Sequence, residues 1–149
     1  MEVDPHLVHV AIRWVHVAAM ATAFGGAVTV FALSIRPGTD SAGAVLGVAV
    51  RYEWLFWAAA GVLAMTGIGN LAAFGAGLLG PSTNWGTTLL LKLGSVLTLV
   101  VLSLPRTLAV ARTSATSIGT GLIALRNLYA ATTAAFAVIL AFAIWLAHG

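Results

Sequence analysis

The chain contains no cysteine. That removes disulfides, thiolate metal centres, iron-sulfur clusters and covalent c-type haem attachment together, so any bound metal or cofactor has to use histidine, methionine, lysine or oxygen ligands. Charge is almost as scarce. Asp, Glu, Lys and Arg make up 7% of the 149 residues, against 60% hydrophobic residues, and the mean hydropathy is +1.03. This composition excludes an ordinary soluble domain and places the chain in a bilayer, with membrane lipid as its first partner. Four acids against seven Lys and Arg give a pI near 10.2, but a few scattered charges make no footprint for a nucleic acid. Also missing are a Walker loop, an HExxH zinc motif and a Ser nucleophile elbow. No carboxylate falls inside an expected span, which disfavours proton-coupled pumping as the missing motifs disfavour hydrolysis.

What remains is long hydrocarbon runs. A crossing takes roughly 20 apolar residues for a hydrocarbon core of about 30 Å, so the chain has room for four spans in one membrane domain and little else. They are expected at about 10–35, 54–74, 87–104 and 128–147. The first ends at Arg36-Pro37-Gly38. Ser41 to Glu53 reads as a short helix leading into the second, which Gly75, Gly77, Gly80 and Pro81 close. Pro105 bends or ends the third, with continuation of the helix toward Arg112 as the alternative, and Thr113 to Gly121 reads as a loop or frayed helix end. None of these runs alternates as a membrane strand must. The expected fold is therefore all-α, an integral membrane four-helix bundle. Its small faces at Gly25-Gly26 and Ala130 to Ala134 suit close helix contact, homo-oligomers included.

Arg36 and Arg51 fall between spans one and two, and Arg106, Arg112 and Arg126 between spans three and four, on the same side. The positive-inside rule then puts both termini outside, N-out and C-out, in the periplasm if the membrane is a bacterial inner (cytoplasmic) membrane. The segment Met1 to His9 carries Glu2 and Asp4 and no basic cluster, unlike the start of a cleavable signal peptide, so the first span is expected to remain as an anchor.

His6, His9, Arg13, His16 and Met20 follow one another at spacings of 3, 4, 3 and 4, which places them in one narrow helical stripe running from the outer boundary into apolar sequence. His16 lies about 9 Å below Val10, and Lys92 about 8 Å below Thr87 on the third span, at roughly 1.5 Å per residue. A cationic pair, Arg13 and Lys92, beside a histidine and away from any carboxylate calls for an anion. One that fits is the propionate edge of haem b, with His16 as axial ligand; another is the head group of an acidic lipid. Met20 and His9 share a helix with His16, so neither can take the opposite face of the same iron, and a neutral Lys92 is a less usual sixth ligand. Copper is the other metal to weigh, on His6 with His9 or on the N,S pair His16 and Met20.

Plainer readings stand beside these. His6 and His9 suit an interfacial helix start, His16 suits a hydrogen bond across the bundle to a carbonyl, Asn70 or a threonine, and Arg13 and Lys92 suit snorkelling to the interface. Met20 and Met65 suit packing. Trp14, Trp54, Trp57, Trp85 and Trp145 suit an aromatic belt.

Arg13-Trp14-Val15-His16 followed by Gly25-Gly26, then Trp85 with Leu91-Lys92-Leu93, then Leu125-Arg126, resembles the four-helix core of the copper resistance D (CopD) family and of its relative, the HemJ-type protoporphyrinogen oxidase. The resemblance covers most of the chain through short motifs. From CopD it implies copper handling or uptake at the outer face, and from HemJ it implies haem b binding and oxidation of protoporphyrinogen. In both cases the first-span histidine maps to His16 and the third-span lysine to Lys92. The expectation is a membrane-embedded redox or metal-cofactor protein, an oxidoreductase if an enzyme. Haem b on His16, Arg13 and Lys92 stands ahead of copper on His6, His9, His16 and Met20, and the protein acts in electron transfer or redox sensing with a quinone or a respiratory complex as partner. The alternatives are a copper-binding or copper-import protein and a cofactor-free accessory subunit of a larger membrane complex.

Overall fold

The computed structural model describes residues 4–35, 42–72, 80, 82–115 and 118–148, except for the side chains of 5, 70–72, 114–115, 118–120 and 147–148. They form four α-helices and, among the described residues, no strand: α1 (Pro5–Ile35), α2 (Ala42–Ala72), α3 (Asn84–Ala115) and α4 (Ile118–His148). Each contains a segment long and apolar enough to cross a membrane, at His6–Ile35, Ala42–Gly69, Asn84–Thr113 and Gly121–Leu146. The protein is an integral membrane four-helix bundle.

Local signals set two of the helix starts. Asp4 caps α1: its side chain accepts from the His6 amide at 2.9 Å and its carbonyl from the Leu7 amide at 3.0 Å, with Pro5 in the first turn, where a missing N–H costs nothing. Thr83 caps α3, its hydroxyl accepting from the Gly86 amide at 3.0 Å.

The helices run well past the expected spans. α2 begins twelve residues before Trp54 because the stretch that reads as mixed is amphipathic: Val45, Leu46, Ala49, Tyr52 and Glu53 are buried on one face while Gly47, Val48 and Arg51 face outward. α3 continues through Pro105. That proline sits on the exposed face, so its ring points away from the neighbouring helices. The segment 36–38 and most of the 75–81 turn lie outside the described residues, as do the side chains of Asn70 and His148.

α1 packs most extensively on α2 and α3 on α4, α1 against α4 joins the two hairpins, and α2 against α3 closes the ring with the thinnest seam. Successive helices are antiparallel, as short connections require. One end of the bundle therefore carries the α1–α2 and α3–α4 connections (the hairpin end), and the other carries the α2–α3 connection and the chain termini (the terminal end). The centre is aromatic, with Phe136 5.9 Å from Phe24 and 6.4 Å from Phe56, ring centre to ring centre. Outward-facing Trp14, Trp54 and Trp145, each more than 70% exposed, face lipid.

Gly26 sets the distance between α1 and α2. A Cβ there would lie 2.5 Å from the Tyr52 ring, whereas one at Gly25 would meet nothing within 4 Å. The Tyr52 ring therefore lies directly on the α1 backbone, and its hydroxyl donates to the Ala23 carbonyl at 2.8 Å. Gly26→Val is expected to destabilise the bundle by about 1–3 kcal/mol, the usual cost of overpacking, with Gly25→Ala near neutral. Denaturation in mixed micelles monitored by tryptophan fluorescence checks both.

Candidate functional site

Polar side chains inside a bilayer are costly and mark function or special structure. Here they gather in two places, one in each half of the bundle.

In the terminal half, His16 of α1 meets Thr66 of α2, with Nδ1 2.7 Å from Thr66 Oγ1. Thr66 Oγ1 also lies 2.7 Å from the Val62 carbonyl. With the threonine proton on that carbonyl, His16 Nδ1–H donates and Nε2 keeps a free lone pair, the arrangement a metal-bound histidine uses when its other nitrogen is held by a second group. The ring also lies beside Gly67, where a Cβ would be 3.8 Å from His16 Cε1. Lys92 shares the inward face of α3 with Leu99 and Arg106, each seven residues further on. It is half-buried. Lys92 has no carboxylate partner among the described residues.

The rest of the histidine stripe does not converge. Arg13 and His6 are exposed and His9 is half-buried, while Met20 packs against the apolar core. His6 and His16 are ten residues apart on one helix, about 15 Å by helical rise, too far to share an ion. Among the described residues no group of three or more His, Cys, Asp or Glu could hold a metal. The threonine bond that the plain structural reading of His16 anticipates is present. A groove of about 450 Å³ lies elsewhere, on the α3–α4 seam between Leu90 and Val138, and no imidazole or amine lines it.

In the hairpin half lies a cluster that sequence reasoning missed. Glu53 is expected just ahead of the second span and Arg106 between the third and fourth; both lie within the membrane-spanning stretches of their helices, and both are buried. The expectation of no carboxylate inside a span is thereby overturned. Arg106 Nε donates to Glu53 Oε1 at 2.8 Å and Nη2 to Oε2 at 3.1 Å. Tyr129 adds a hydrogen bond to Oε1 and Thr107 one to Oε2, both at 2.6 Å. Trp57 donates to Thr107 at 3.1 Å, and Arg106 Nη1 to Thr132 at 3.1 Å. The Phe56 ring lies 4.3 Å from the guanidinium carbon, with Tyr52 and Tyr129 each at 5.3 Å, so the cation is enclosed on its faces as well as its edges.

A carboxylate with four donors has no acceptor capacity left for a substrate. The cluster is a clamp binding α2, α3 and α4, and Tyr52 carries it to α1. A usable signal was the inward heptad Lys92, Leu99, Arg106, together with the run Leu46, Ala49, Tyr52, Phe56, Ala59, which continues unbroken through the supposed boundary. With Arg106 inside the bundle, the basic residues left toward the hairpin end among the described residues are the exposed Arg51, Arg112 and Arg126.

Removing one partner of a buried pair leaves an uncompensated charge, at a cost of about 3–5 kcal/mol, whereas replacing both with apolar residues is often neutral. Glu53→Leu and Arg106→Leu are each expected to destabilise strongly, with the double variant recovering most of the loss. Unfolding free energies of the four proteins in mixed micelles measure the coupling.

No protein-family model matches the chain, and no curated protein or solved structure is significantly similar to it. The functional reading therefore rests on the chain's own residues.

Proposed function

We propose that the protein is a membrane redox protein that holds haem b at His16, in the half of the bundle that carries its termini. The observation that carries this reading is the contact of His16 Nδ1 with Thr66 Oγ1 at 2.7 Å: with the threonine proton on the Val62 carbonyl, Nδ1–H donates to Thr66 and Nε2 presents a lone pair to a metal. Lys92 supports it from that face. A half-buried ammonium without a carboxylate is complemented by an anionic group, and the propionates of haem are such groups. Arg13, exposed one turn nearer the end of α1, adds a second cation at the lipid boundary. Haem, when bound, supplies one-electron chemistry, so the reading is electron transfer or redox sensing, with a quinone or a respiratory complex exchanging the electron.

This agrees with what the resemblance to CopD and HemJ implies for His16 and Lys92. The exposed arginines toward the hairpin end support a cytoplasmic location for that end and an outward location for both termini, in a bacterial inner membrane. Copper on His6, His9, His16 and Met20 is the weaker reading, since those side chains point to different surroundings along one helix.

The test is an absorbance spectrum of the purified protein after reconstitution with haemin. A Soret band with a reduced alpha band is expected. It should be lost in His16→Ala and kept in His6→Ala. Thr66→Val should weaken haem affinity about 10–100-fold, as loss of an outer partner does for a metal-bound histidine. An unchanged spectrum in His16→Ala removes the ligand assignment. Stoichiometric copper without haem favours a copper protein, and neither favours a cofactor-free subunit.

A further inference from the structure

Two cations in the hairpin half belong neither to the clamp nor to the His16 site. Arg51 of α2 and Arg126 of α4 are exposed, lie inside the stretches long and apolar enough to cross a membrane, and have no partner among the described residues. Arg112, the third exposed arginine of this half, is engaged within the chain. A guanidinium bare in hydrocarbon is too costly to persist, so each of the two has to be met by an anion.

Their depth says where. Arg51 is nine residues from the start of α2 and Arg126 eight from the start of α4, about 14 and 12 Å by helical rise. A helix of 31 residues is about 46 Å long and, centred on a hydrocarbon core of about 30 Å, extends about 8 Å beyond it at each end. Both arginines therefore leave the backbone about 4–6 Å inside the hydrocarbon, at nearly one level. Side chains of a helix lean toward its N-terminus, and α2 and α4 both begin at the hairpin end. Both guanidiniums lean toward the nearer boundary, where a long side chain reaches the lipid phosphates.

The surroundings of Arg51 favour a lipid over a second copy of the chain. One and two turns toward the hairpin end, on the same outward face, stand Gly47 and Gly43, where an added Cβ would meet nothing within 4 Å. Unlike Gly26, they receive no neighbouring helix, although glycine weakens a helix relative to alanine. They leave a bare strip of backbone on the boundary side of Arg51. On its other side is Trp54, 79% exposed, an aromatic suited to the head-group level. Two copies packed strip to strip about an axis along the membrane normal would bring their Arg51 side chains together, and like charges repel most where the dielectric is low. No described carboxylate is spare to offset them, since Glu53 is in the clamp and Asp4 caps α1 at the other end.

We propose that Arg51, with Gly47 and Trp54, holds the phosphate of an anionic lipid in the leaflet at the hairpin end, and that Arg126 holds a second at the same depth. The two lipids tie α2 and α4, which face each other across the ring, to one leaflet. Nothing in this assignment depends on a cofactor at His16.

Native mass spectrometry of the protein in detergent micelles, titrated with phosphatidylglycerol, tests it, with phosphatidylcholine and inorganic phosphate as comparisons. Two phosphatidylglycerol molecules should bind ahead of phosphatidylcholine. Arg51→Gln and Arg126→Gln should each weaken one of them about fivefold, the effect of one arginine near a lipid surface, and the double variant should bind the two lipids alike. Gly47→Leu, which keeps the charge and fills the strip, should weaken the Arg51 site alone. A double variant that keeps the preference overturns the proposal. Displacement of the lipid by inorganic phosphate also overturns it, by marking an ion site. So does a dimer that Gly47→Leu separates while phosphatidylglycerol binding is unchanged, which would assign the strip to a second copy.

Discussion

The bundle depends on one buried ion pair. Tails of a bilayer are as apolar as leucine, so association of four apolar helices gains little from hydrophobicity and must rely on close packing and on polar groups that need each other. Glu53 and Arg106 supply that need. Neither charge is tolerable alone at this depth, and the helices that carry them make the least packed seam of the ring. The pair thus closes the ring where packing is weakest. Tyr129 and Thr132 bring α4 into the same set of bonds, and Tyr52, against the Cβ-less surface of Gly26, ties the cluster to α1. One carboxylate and one guanidinium organise all four helices.

The clamp also gives the second polar site its meaning. Arg106 and Lys92 occupy the same inward stripe of α3. One has a bidentate carboxylate, two further polar groups on that carboxylate and three aromatic rings around it. The other has no carboxylate partner among the described residues. The difference separates them: Arg106 completes the fold, and Lys92, half-buried fourteen residues away, takes no part in the clamp.

Fold class was legible in the sequence because it follows from composition and run length, quantities that tertiary context cannot override. Helix limits were not. Arg51, Tyr52 and Glu53 are consecutive and read as a polar boundary, yet at 100° per residue they cannot all face one way: Arg51 is exposed while Tyr52 and Glu53 are buried. Pro105 reads as a bend or an end with continuation toward Arg112 as the alternative, and the helix does continue, since on an exposed face the ring interrupts no contact with a neighbouring helix. His16 and Lys92 were legible through depth and type. Thr66 was not singled out, since a threonine in a span carries no signal until the fold shows which histidine it meets. The histidine stripe was too generous for a related reason. Arg13 and His16 are separated by 60° on the helix, enough to put one outside the bundle and the other within it.

The two polar sets also divide the helices between them. Along helices of about 46 Å, as 31 residues span at 1.5 Å each, they lie at different levels. Glu53 and Trp57 join α2 to Arg106 and Thr107 of α3 in the hairpin half, and His16 joins α1 to Thr66 of α2 in the terminal half. The first set pairs two charges that hydrocarbon would not tolerate apart, whereas the second is a single bond between neutral-capable groups. Stability is therefore decided at the clamp, and the terminal half can vary in its polar groups without unpairing a buried charge.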